Sequence, residues 1–436
     1  MSSIKIDSEW IDSDEGFRPE YDFTLGNVGI NADNIWLTEF ETESGEHGRR
    51  LEVPAYSMAE WFAENWWSLL YEPEKGERSK HDPAFRARHW LGSARGGFAL
   101  PDAWIHANGR GTVELKAVPS FFPYARLALR NSCKTAIRTE EFARELASFI
   151  GSVVQRLHDK GVHDTNLQQI WAAWARLDQD ERRFCSLLGA LGISPYDATP
   201  DLAELLAEVL GEASESVSED FCEAADEGDL LEAAADMRST LDALNDEPQI
   251  DLSALFRIHS RRESSHKRAA LNAARAVRDF LRVSSRDPLG GETFLTAFDL
   301  QSSIYDREGL KEAEDPVLHG SLRRSANRLQ FNLIRKQASA RRFDATRACY
   351  MAWSQGSDGD RLVTRARVPD QQASRIFAAE ILAPIDFIRS KAANRILSPY
   401  GVQRIASELK VSGAVIAWQA KHNGIALVGH DMGHWS

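Results

Sequence analysis

Two sets of residues in this 436-residue chain have the types and spacing to do chemistry. The first is Pro101-Asp102, followed after eleven residues by Glu114-Leu115-Lys116. An aspartate and a glutamate can share a hard cation such as Mg2+ through their oxygens. A lysine two positions on can then orient a water or offset the charge of a phosphorane, which is the equipment of metal-dependent phosphodiester hydrolysis. A preceding helix offers a further acid in Glu60 or Glu64. The second set is His430-Asp431-Met432-Gly433-His434. Two histidines at i and i+4 can hold a metal from one helix face. Gly433 inside the run and the marginal stability of short helices favour a solvated tail instead.

The elements that must position these groups follow from periodicity. Phe98–His106 and Thr112–Val118 read as two strands around Asn108-Gly109, a pair suited to the positive φ of hairpin turns. On the second strand Glu114 and Lys116 share one face, and Val113 and Leu115 the other. The same pattern fits an ordinary solvated hairpin without catalysis. Ser57–Tyr71 predicts one helix, with Ser57 as N-cap and Glu60 completing a capping box. Its stripe of Trp61, Phe62, Trp66, Leu69 and Leu70 is a core face. Residues 1–30 read as a loose polar segment, Ile35–Val53 as a hairpin, and Arg126–Arg130 as a further strand. Thr139 is expected to cap a helix reaching about His158. From there to about residue 245 the chain reads as helical, and Asn245–Ile250 as a linker. Then come a basic helix at Ser264–Val283, a strand at Leu329–Ile334, and long helices at Ser339–Trp353 and Asp370–Leu382. Two short helices flank Val411-Ser412.

Composition bounds the rest. Hydrophobic residues make up 43% of the chain, and no apolar run approaches the roughly 20 residues that cross a bilayer. The N-terminus lacks the apolar core of a signal peptide, so a cytoplasmic protein without a membrane partner is expected. Cys133, Cys185, Cys222 and Cys349 are far apart, which argues for inert buried thiols over a disulfide framework or a thiolate zinc cluster. The net charge of -13 is uneven. Residues 201–247 hold 16 acidic side chains and one basic, a net of -15. The stretches 257–282 and 323–347 carry eight Lys/Arg each. Such stretches can bind nucleic-acid phosphates; the nearby acidic segment favours internal pairing. Gly92–Gly97 lacks the Lys-Ser/Thr of a phosphate-binding loop.

From about Ser264 to Leu427 the chain resembles the ImmA/IrrE family of metallopeptidases. The residues that carry the resemblance are the strand Leu329–Asn332, Arg342-Phe343, the block Phe377-Ala-Ala-Glu-Ile-Leu-Ala-Pro384, and Val411-Ser412. The resemblance implies a zinc helix bearing His-Glu-x-x-His, and here those positions fall at Arg347, Ala348 and Met351. It implies a third, acidic ligand at Asp370, and a structural Glu380. Arginine has no lone pair to give a metal, and alanine cannot act as a base. Methionine is a soft ligand that suits such a site poorly. The resemblance therefore implies a non-catalytic, zincin-like module with no metal cofactor. It would act in stress response, mobile-element control or phage defence, with a protein partner encoded nearby.

Two alternatives stand beside it. Asp102, Glu114 and Lys116, with Glu64 as the further acid, match the pattern of PD-(D/E)xK nucleases, which implies Mg2+ in the N-terminal region. A DNA-binding regulator could use the basic helix or the helix pair at Val411-Ser412. The second helix of that pair, Ala-Val-Ile-Ala-Trp, lacks side chains that read bases. The expected architecture is α+β and predominantly helical: a small mixed α/β domain over 1–130, an acidic helical region over 131–248, and a helical peptidase-like domain over 249–436.

Overall fold

Within the first 30 residues, polar and rich in aspartate, Ile4–Trp10 and Leu25 onward form strands and not a loose segment. β1 (Ile4–Trp10) pairs antiparallel with β2 (Leu25–Ala32), with Ile4 opposite Ala32 and Trp10 opposite Gly26. Ile4 and Ile6 are buried, and between them the chain alternates with Lys5 and Asp7. The Arg50 guanidinium holds Asp7 through two hydrogen bonds of 2.9 and 3.1 Å. A period of two lay beneath an acidic composition.

The structure is a computed structural model. It describes residues 3–428 apart from 13–15, 17, 77–80, 110, 212, 259–262, 264, 288, 290–315 and 355. The tail motif His430–His434 lies outside the described residues. Helix covers about 51% and strand about 21%, so the fold is α+β with helix predominating. No described helix is long and apolar enough to cross a membrane. The chain divides into two compact units, Met1–Ala203 and Glu204–Ser436. The expected limits at 130 and 248 fall inside these units.

In the first unit, β3 (Leu51–Pro54) joins the sheet beside β2. The helix read over Ser57–Tyr71 is two helices, α1 (Ala55–Glu64) and α2 (Trp66–Tyr71). Pro54 occupies the N-cap position and no side chain caps the helix there. Ser57 lies within the first turn, and Glu60 accepts from the Tyr56 hydroxyl at 2.8 Å. The break falls at Asn65, whose side-chain amide donates to the Trp61 carbonyl at 2.8 Å. That bond competes with the helix for a backbone acceptor. The aromatic stripe is buried as expected, each large side chain stabilising by about 1.5–3 kcal/mol.

α3 (Pro83–His89) follows, then a three-stranded antiparallel sheet of β4 (Asp102–Ala107), β5 (Thr112–Val118) and β6 (Cys133–Arg138), in the order β6-β5-β4. Ala103, Ile105, Ala107, Val113, Leu115 and Ala117 form its buried face. α4 (Thr139–Asp159) buries Phe142, Leu146, Phe149, Ile150, Val153 and Leu157. Thr139 is its first residue and gives no side-chain cap; Arg138 stands at the cap position. α5 (Asn166–Arg176) starts from a true capping box made by Thr165 and Gln168. α6 (Gln179–Leu191) ends at Gly192, whose φ of 82° favours glycine.

In the second unit α7 (Pro200–Leu210), α8 (Glu215–Ala224), α9 (Leu230–Ala243) and α10 (His266–Phe280) precede a sheet. The sheet holds β7 (Leu318–Ser325) and β8 (Arg328–Leu333). α11 (Ala338–Ser354), β9 (Gly359–Thr364), α12 (Pro369–Leu382), α13 (Pro399–Leu409) and α14 (Gly413–His422) follow. The sheet order is Ile250–Asp251, β8, β7, β9. α8 packs on β9, α9 on β7 and α10 on α12. The acidic segment is thus part of this unit's core layer. α11 lies among β7, β8 and α12, and every residue from Arg341 to Ala352 except Phe343 is buried.

Candidate functional site

A helix buried all round would ordinarily be apolar, yet α11 carries Arg341, Arg342, Asp344 and Arg347 inside. Arg347, at the first of the expected zinc-ligand positions, is 0% exposed. Its Nε donates to Ser374 Oγ at 3.1 Å. One terminal nitrogen reaches His319 Nδ1 at 2.7 Å and Asp344 Oδ1 at 3.3 Å. The other donates to the Thr364 carbonyl at 2.7 Å and Gln371 Oε1 at 2.8 Å. A guanidinium has five N–H groups, and these five acceptors use them all. Arginine can only donate, so His319 Nδ1 presents its lone pair to Arg347. Asp344 also takes Arg335 Nε at 2.6 Å. Burial opposes the charge of Asp344, but the neighbouring Arg335 and Arg347 guanidinium groups outweigh it and hold the carboxyl well below the usual range.

The other motif positions are packing residues. Ala348 and Met351 sit in the apolar core with Phe377, Ile381 and Val402. Asp370, expected as a third ligand, is half exposed, 3.7 Å from Arg361 and 4.0 Å from His266. Its neighbour Gln371 is the residue that reaches Arg347. Glu380 is buried, and burial raises its carboxyl. It accepts from Gln419 and the Ile385 amide. The residues here do not fit zinc: the position between α11 and α12 is filled by a fixed cation with saturated donors. Among the described residues no group of three or more His, Cys, Asp or Glu side chains is arranged to hold a metal.

The basic stretch 323–347 is drawn inward at Arg341, Arg342 and Arg347, while Arg328 and Lys336 stay exposed. Arg323 pairs with Asp360 at 2.7 Å and Arg335 with Asp344. Arg341 donates to the carbonyls of Arg335 and Lys336, and Arg342 to that of Leu409. Arg341, Arg342 and Arg347 are buried and offer no face to a phosphate chain. The acidic segment finds its counter-ions here too. Asp220 holds Arg361 at 2.6 and 2.9 Å, and Arg365 bridges Asp226 and Asp229. In the stretch 257–282, Lys267, Arg268 and Arg275 on α10 are exposed while Arg278 is buried.

The hairpin residues do share a face, but the register separates the two acids. Asp102 stands opposite Val118, and Glu114 opposite His106. Glu114 and Val118 are four residue steps apart along the strand, about 13 Å at 3.3 Å per residue. One Mg2+, with ligands at about 2.1 Å, cannot bridge that gap. Asp102 Oδ1 accepts from the Trp90 indole at 2.6 Å, and Glu114 lies 3.2 Å from Lys134. Lys116 is exposed. Glu64 belongs to another group: Asn166 donates to Glu64 at 2.9 Å and to Glu60 at 3.1 Å. Burial, and then the Glu60 charge, raise the Glu64 carboxyl.

One ionic cluster gave no signal in the sequence. Glu72 lies 17 residues from His89, yet His89 Nε2 sits 2.9 Å from Glu72 Oε2. Arg88 clasps the same carboxylate at 2.7 and 2.9 Å, and His89 Nδ1 meets the Ile105 carbonyl at 2.7 Å. Burial works against the Glu72 charge, but His89 and Arg88 prevail and bring its carboxyl down to about 2. This cluster ties the chain after α2 and the end of α3 to β4. No family model, curated protein or solved structure matches the chain.

Proposed function

We propose that the protein is a non-catalytic relative of the ImmA/IrrE metallopeptidases that works as a regulatory or interaction module, in stress response, mobile-element control or phage defence. The observation that supports this reading is Arg347. At a position where the family resemblance calls for a metal-binding histidine, a guanidinium with all five donors satisfied spans the gap between α11 and α12. A cation held there excludes a second one by charge, and Ala348 supplies no base. Any residual role falls to surfaces that recognise a partner protein. The two-carboxylate nuclease reading is the weaker one, because the strand register keeps Asp102 and Glu114 apart.

Metal analysis tests the proposal. Purified wild-type protein should carry no stoichiometric zinc. The triple variant Arg347→His, Ala348→Glu, Met351→His should gain zinc if α11 descends from a zinc helix. Stoichiometric zinc in the wild type, or a folded triple variant that ignores zinc, would count against it.

A further inference from the structure

The face of the β4–β5–β6 sheet opposite its core carries a row of indole and ammonium side chains. Trp104 stands opposite Lys116, and Lys116 opposite Lys134. At the outer edge Trp90 bridges to Trp104, and the Arg86 guanidinium lies 4.1 Å over the Trp90 ring. The row across the sheet therefore reads indole, indole, ammonium, ammonium. Two lysines placed directly opposite each other repel, and sheets usually avoid the pairing. Both acids on this face are engaged, Glu114 with Lys134 and Asp102 with the Trp90 indole. No ion pair holds Lys116 among the described residues. The surrounding sequence is also biased. From Arg86 to Arg138 there are nine Lys/Arg against Asp102 and Glu114 alone, in a chain of net charge -13. Five of the nine are paired: Arg88 with Glu72, Arg126 with Glu43, Arg130 with Glu41, Lys134 with Glu114 and Arg138 with Glu141. Lys116 faces the row beside the Lys134 side chain, which stays 67% exposed despite its pair, and Arg86 lies over Trp90.

We propose that this sheet face binds single-stranded nucleic acid, with Lys116 and Lys134 on the phosphates and Trp104 against a base. The chemistry of the row selects the ligand. Adjacent strands are about 4.8 Å apart, so the ring platform lies beside the ammonium pair on the scale of a base and its phosphate. Sequence-tolerant single-strand binders combine these two features. A duplex buries its bases and needs a helix or ribbon that enters a groove, which a sheet face with indoles does not offer. An acidic peptide would satisfy the lysines and leave the indoles unused. The proposal goes beyond the reading of the second unit and does not depend on it.

The test uses the full chain and a fluorescently labelled oligothymidylate of about 20 nucleotides, long enough for one such platform, in anisotropy titrations at low and moderate salt. Binding to the single strand should exceed binding to a duplex of the same length. Lys116→Glu combined with Lys134→Glu should weaken it at least about tenfold, and Lys116→Ala should flatten the logarithmic salt slope by about 0.7. Trp104→Ala should lose about fivefold or more. Trp104 is half buried, so the exposed lysine pair is the deciding variant, with circular dichroism confirming its fold. Arg268→Glu with Arg275→Glu on α10 should change nothing. The proposal is overturned by no binding at low salt, by binding that the lysine pair does not affect, or by a duplex that binds equally well.

Discussion

Arg347 brings five donors into the protein interior and meets five acceptors there, and this accounting sets its energetics. A buried ion pair is weak evidence of stabilisation, but breaking one leaves an uncompensated charge. Arg347→Met should therefore destabilise by about 3–5 kcal/mol, read from the urea midpoint with an unchanged slope. Arg347→Lys should not restore the loss, because one ammonium cannot fan out to partners on β7, β9 and α12. Glu72 gives a pH signature. Its carboxyl is brought from the usual 4.5 to about 2, so the folded state favours the charged form. The stabilisation is complete above about 4.5 and disappears as pH falls toward about 2. That shift corresponds to about 3 kcal/mol. Asp344 acts in the same direction. In Glu72→Gln, stability measured between pH 5 and pH 2 should lose much of its slope; an unchanged slope would refute the assignment.

At the scale of elements, capping shows how local signals were read and misread. Ser57 and Glu60 have the capping-box spacing, but α1 starts two residues earlier, where β3 hands the chain over at Pro54. Thr165 and Gln168 have the same spacing, and there both reciprocal bonds form. Thr165→Ala should cost about 1 kcal/mol, measured by chemical unfolding, whereas Ser57→Ala should cost only a few tenths because no cap is lost. The hairpin β4–β5, the strand β8 and the helices α4, α10, α11 and α12 were all legible, since alternation and helical stripes are local properties. The β1–β2 pair was not. Its apolar residues are sparse, and its strands pair with partners up to 29 residues away in the chain, Leu25 with Pro54.

At the scale of the molecule, two units divide the chain at Ala203–Glu204. A cut in the loop Ile193–Thr199 spares α6 and α7. Fragments on either side should each unfold cooperatively by calorimetry; a fragment without a transition would show that its unit does not fold alone. All four cysteines are buried thiols, and burial pushes Cys133, Cys185 and Cys349 above the usual thiol range. A thiol reagent should therefore find few reactive groups before denaturant is added and four afterwards; rapid native labelling would contradict the packing.

The sequence by itself determined the α+β class, the long helices, the hairpin and its apolar face, because those depend on spacing within one element. It also determined that Arg347, Ala348 and Met351 make no zinc site, because that depends on which atoms a residue owns. Only the tertiary structure decided where the charges went. It placed a guanidinium among five acceptors from four elements, drew Arg341, Arg342 and Arg347 inward, packed the acidic helices against the sheet, and set two lysines facing each other on solvent. Charge pairing is settled by distance in space, and strand register and helix packing fix those distances between residues far apart in the chain.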